Sequence, residues 1–88
     1  MNIEDIKHLV GMVMEETEGA SSYKKCAKKY EDTFPEISKM FTTMADQEQH
    51  HGMMLLDMLK LIRSKETDIT KQTVLDFVID LSIEQLNK

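Results

Sequence analysis

The 88-residue chain is short of everything that staples or interrupts a fold. It holds one cysteine, Cys26, so no disulfide can form within it, and a lone thiol suits a reducing compartment. Glycine (Gly11, Gly19, Gly52) and proline (Pro35) are scarce, while Leu, Ile, Met, Lys and Glu dominate, a composition that favours helices throughout. Positive charge is outnumbered, and a net charge of -5 argues against nucleic acid as a partner, since phosphate binding needs a basic face. No apolar run approaches the ~20 residues that span a bilayer, and the N-terminus lacks a signal-peptide pattern, so a cytoplasmic protein is expected. A single domain this small buries little core and, without disulfides, looks to a metal or to self-association for support.

Two breaks divide residues 1–88 into three predicted helices. Asp32-Thr33-Phe34-Pro35 is the strong one, because proline pushes its predecessor out of helical geometry and is well placed in a first helical turn. Helices are therefore expected at about 3–31 and 35–64. The polar stretch Ser64 to Asp68 then precedes a third helix at about 69–86, capped by Asp68 or Thr70. The first helix carries the seam Ile6, Leu9, Val13, Glu16, Ala20, Tyr23, Ala27, Tyr30, Phe34. The second carries Ile37, Phe41, Met44, Glu48, His51, Leu55, Met58, Ile62. Both step alternately by three and four, the mark of long helices packed almost parallel or antiparallel. The third helix has a broad apolar face for a flank of the hairpin or for a neighbouring chain.

Only Glu16, Glu48 and His51 interrupt the apolar seams, whereas Glu15 and Glu18 fall on the outer side of the first helix. A carboxylate inside a bundle is costly unless it is paired or binds a cation. With the hairpin centred between Thr33 and Phe34, Glu16 and His51 lie at equal heights, about 26 Å from the turn at ~1.5 Å per residue. Glu48 lies one turn nearer the loop on the face of His51. Two carboxylates and one imidazole are too few for a pair of metals. A twofold-related hairpin supplies the same set again, and the resulting carboxylates balance two divalent cations.

These residues resemble those of the ferritin and rubrerythrin superfamily, in which each half of a four-helix bundle gives a Glu from one helix and Glu-x-x-His from the next. The match runs over about residues 6–62: Glu16 followed by Tyr23, then Ile37, Phe41, and Met44-Ala45-Asp46-Gln47-Glu48-Gln49-His50-His51. The resemblance implies an all-α, ferritin-like antiparallel hairpin plus a C-terminal helix, completed to a four-helix bundle by homodimerisation or higher even-numbered assembly. The family usually carries both halves in one chain, so this one is similar to single-hairpin members, including those packaged in encapsulin shells. The implied cofactor is two iron ions per dimer, with manganese or zinc as substitutes, Glu48 bridging and Glu16 and His51 terminal. The implied activity is Fe(II) oxidation, or reduction of peroxide or O2 with an external electron donor; the sequence has no rubredoxin-like Cys-x-x-Cys. The alternative is a helical oligomerisation module, with or without metal, whose polar residues only fix register.

Around this set, Tyr23 is either a hydrogen-bond partner for a ligand carboxylate or a core tyrosine, and His50 is either a second such partner or a solvated histidine. Gly19 and Ala20 leave space beside Glu16, either for the approach of a metal or partner helix or, the preferred reading, for helix packing; Cys26 reads as a buried small residue and the methionines as core and interface filler. Lys24, Lys25, Lys28 and Lys29 read as a solvated helix face. The seam assignment predicts that Glu16→Ala abolishes metal uptake while Glu15→Ala leaves it almost untouched, measured as metal content after purification without chelator. Equal effects would show that Glu16 is not the inward-facing carboxylate.

Overall fold

Asn2 opens the first helix by accepting a hydrogen bond from the Asp5 N–H at 2.8 Å, which satisfies one of the donors a helix start leaves unpaired. Helix α1 (Ile3–Tyr30) then runs to a basic last turn with Lys28 and Lys29, where cations complement the helix dipole. Helix α2 (Pro35–Lys65) starts with Pro35 at its first position, and α3 (Ile69–Leu86) is capped by Asp68, which accepts from the Lys71 N–H at 3.0 Å. The computed structural model describes all of residues 1–88 and contains these three helices and no strand.

Buried α1 residues recur every seventh position: Ile6, Val13, Ala20 and Ala27. They face Ala45, Gly52, Leu55, Leu56 and Leu59 of α2. Near the loop the contact is made of small residues (Ala20, Ala27, Ala45), and the Ser38 hydroxyl donates across it to the Ala27 carbonyl at 2.6 Å. Far from the loop the side chains are larger, and Ile6, Val13, Leu55, Leu56 and Leu59 form one cluster with Leu75, Ile79 and Leu86 of α3. Helix α3 packs on its own hairpin, antiparallel to α2. Arg63 pairs with Asp76 at 2.7 Å, and further back along α2 the Gln49 amide donates to the Leu86 carbonyl at 2.5 Å. The Arg63 pair is exposed and contributes little. The molecule is a rod of 54 × 18 × 15 Å.

The seams divide in a way their periodicity does not show. On α1, Ile6, Val13, Ala20 and Ala27 are buried, while Leu9, Glu16, Tyr23 and Tyr30 are half-buried; Phe34, the last residue of that seam, lies beyond α1 at the start of α2 and is exposed. On α2 only Leu55 of the expected seam is buried. Ile37, Met44, His51 and Met58 are exposed, and Ala45, Gly52, Leu56 and Leu59, one position along, take the contact with α1. The reason is geometric: a two-helix contact needs one stripe per helix, whereas steps of three and four generate a wider face. Its remainder forms a continuous exposed front, with Ile37, Met40, Met44, His51, Met54, Met58 and Leu61 on α2. In the loop half, Tyr23 and Tyr30 stack on Phe41 at 6.1 Å between ring centroids. Cys26 is half-buried rather than buried.

This division predicts unequal costs for truncation. Leu59→Ala, at a fully buried position, should destabilise by about 2–5 kcal/mol in urea unfolding, whereas Phe77→Ala on the outside of α3 should change stability by less than ~0.5 kcal/mol.

Candidate metal centre

Glu16 points out of the middle of α1, and Glu48 and His51, one turn apart on α2, point back at it. One oxygen from each carboxylate and one ring nitrogen of His51 all lie within 4.8 Å of one another. His51 Nδ1 is 3.6 Å from Glu16 Oε2, too far for a hydrogen bond. That Oε2 is buried and has no hydrogen-bond partner. The Glu48 carboxylate reaches across to α1 and lies over Gly19, where a Cβ would stand 2.7 Å from Glu48 Oε2. On the other side, Gly52 lets the Leu86 side chain close against α2 beside His51, so the end of α3 backs the cluster.

No lysine or arginine neutralises the two carboxylates. The ion pairs of the chain are Lys7 with Glu4, Arg63 with Asp76, and the His51–Glu16 contact itself. Contact with the Glu48 carboxyl, which favours a proton held between the two groups, pushes the Glu16 carboxyl above its usual range. Burial adds to the rise, as does the repulsion of Glu48, while His51 pulls the other way. An unpartnered buried oxygen, a second carboxylate and an imidazole nitrogen form a donor set that suits Fe(II), Mn(II) or Zn(II). A divalent cation would supply the missing positive charge, so the residues present fit a metal. The cluster opens onto the front face: the His51 side chain is 55 % exposed and that of Glu16 26 %.

The other expected participants lie apart from this group. His50 is exposed and outside the cluster. Tyr23 is half-buried, with its ring stacked on Phe41. Glu15 and Glu18 are exposed, as their positions on the outer side of α1 required. Gly19 leaves space beside the cluster, as its position next to Glu16 suggested, but the group that fills it is Glu48, and neither that contact nor the one between Gly52 and Leu86 was read from the sequence. The available signal was the placement of both glycines in helix interiors, where glycine weakens the helix.

The family model described as Rubrerythrin matches residues 9–87, and the chain belongs to that family. No curated protein and no solved structure matches it. Membership points to iron bound by carboxylates, and Glu16, Glu48 and His51 are the candidate group for it.

Two pH effects follow from the raised Glu16. Its protonated form is favoured in the fold, so this contribution to metal-free stability is present below the ordinary carboxylate value and is lost as pH rises through the raised one. Glu16→Gln, which removes the charge and keeps the shape, should therefore raise the melting temperature of metal-free protein at neutral pH, with the gain shrinking in acid. A cation must displace the same proton, so Co(II) affinity of the native chain should increase with pH across the weakly acidic range, with proton release detectable by calorimetry. A Glu16→Gln protein that melts lower at neutral pH would contradict the repulsion.

Proposed function

We propose that two copies of this rubrerythrin-family chain pack front face to front face, hold two iron ions between them, and oxidise Fe(II). The observation that supports this reading is the unpartnered Glu16 oxygen at the floor of a cluster that opens onto an exposed apolar face. Three donors per chain leave a cation unfinished, whereas two chains bring four carboxylates and two imidazoles, enough to balance and enclose two divalent ions. The apolar residues around His51, among them Met44, Met54 and Met58, are 37–49 % exposed in the single chain, and a second copy would remove them from water. The twofold arrangement places the same patch on both copies, so one stripe serves as both halves of the contact.

Glu16, Glu48 and His51 of each copy would hold the ions. Iron held there would supply electrons for the reduction of O2 or peroxide and would itself be oxidised from Fe(II) to Fe(III). The chain's own part is to attract the cation with uncompensated carboxylates, to release the proton that the raised Glu16 carboxyl favours, and to exclude water with the methionine-rich front. Fe(II) as the incoming substrate suits a cluster that is open to solvent in the single chain and carries negative charge; peroxide reduction at the same residues is the second reading.

The tests are metal content, native mass and turnover together. Protein purified without chelator should contain about one iron per chain and run as a dimer or a multiple of it. Glu48→Ala should lose the iron. Met54→Lys, which places a charge on the front, should give a helical monomer with weakened iron binding. Anaerobic loading with Fe(II) followed by O2, watched by absorbance, should show Fe(III) formation faster than in the Glu48→Ala protein. Faster consumption of peroxide than of O2 would favour the second reading. A stable monomer that binds two metal ions would overturn the shared site, and a dimer that binds no metal would make the cluster a register device.

A further inference from the structure

The three glycines of this chain all lie inside helices, where glycine is a weaker helix former than alanine, so each calls for a reason. Gly11 has none in its surroundings: a Cβ there would meet nothing within 4 Å. At Gly52 a Cβ would stand 2.6 Å from the Leu86 Cδ2, so its bareness admits the end of α3. Gly19 is different, because the three nearest atoms that a Cβ would meet all belong to one candidate ligand: Glu48 Oε2 at 2.7 Å, Cδ at 3.4 Å and Cγ at 3.5 Å.

We infer that Gly19 is the positioning residue for Glu48, its bare Cα forming the recess in which the carboxylate lies against α1, one turn from Glu16. The inference rests on the metal-site reading and names the residue that sets its geometry. Neighbouring Ala20 performs the helix packing, since it is buried, while Gly19 is half-buried. The nearest obstacle to a side chain at Gly19 is therefore a candidate ligand. An alanine methyl would have to push Glu48 Oε2 from 2.7 Å to an ordinary carbon–oxygen contact of about 3.3 Å or more. That displacement is about the 0.5 Å within which a binding constellation must be held to keep its function. The atom that must move is the far end of a flexible side chain, so the fold gives way easily and the cost falls on the ligand set.

The test compares Gly19→Ala with Gly11→Ala, two substitutions with the same helix-stabilising chemistry on the same helix. Both should melt at or above the native temperature without metal and keep the native mass. In calorimetry with Co(II) as the probe, Gly19→Ala should bind at least about tenfold more weakly, the scale of effect seen when a ligand loses its support, and Gly11→Ala should bind as the native chain does. Equal Co(II) affinity in the two variants overturns the inference while leaving the metal site standing. A metal-free Gly19→Ala protein that melts below the native chain, or has a smaller native mass, also overturns it, since Gly19 would then serve helix or subunit packing. A native chain that takes up no Co(II) removes both this inference and the reading it rests on.

Discussion

Two carboxylates held side by side with no cationic side chain to offset them are the constraint around which this molecule is arranged. Glu16 and Glu48 come from different helices, so their proximity is a property of the hairpin and not of local sequence. Their nearness holds the Glu16 carboxyl above its ordinary range, first through contact with the Glu48 carboxyl and then through burial and the repulsion of Glu48. A polar cluster with an unpartnered buried oxygen, set within an apolar face, has the character of a site kept for binding.

The packing assigns separate work to separate faces of the same helices. Small residues at Ala20, Ala27, Ala45 and Gly52 bring the two long helices close, and this closeness lets a glutamate on one reach the backbone of the other. Helix α3 lies behind the cluster and supplies most of the remaining apolar volume through Leu75, Ile79 and Leu86. The front is left to methionines, flexible side chains that adapt to irregular surfaces without fixed rotamers.

Much of this was legible beforehand because the signals are local or periodic. Pro35 and Asp68 mark helix starts through backbone geometry and capping, and both occupy those positions. The three- and four-residue steps located Glu16, Glu48 and His51 on converging faces, and the height argument from the turn placed Glu16 opposite His51. What periodicity lacked was the rotation of each helix about its own axis. A shift of one residue moves Ala45, Gly52, Leu56 and Leu59 into the contact and turns Met44 and Met58 outward. That rotation is set by side-chain volume across the interface, a property of pairs of positions that no single stretch of chain displays. The contact between Gly19 and Glu48 was hidden for the same reason, since it joins residues on different helices.

Helix α3 covers only half of the rod, and this asymmetry has its own consequence. The large apolar side chains gather in the half that α3 overlies, whereas the half nearer the turn is held by alanines and an aromatic stack. Resistance to local opening must therefore fall along the long axis, from a stiff three-helix end to a softer two-helix tip. Glu16, Glu48 and His51 sit at the border between the two regimes. The three-helix end fixes one edge of the cluster, and the two-helix tip, held by fewer large apolar contacts, leaves the other edge freer to open locally.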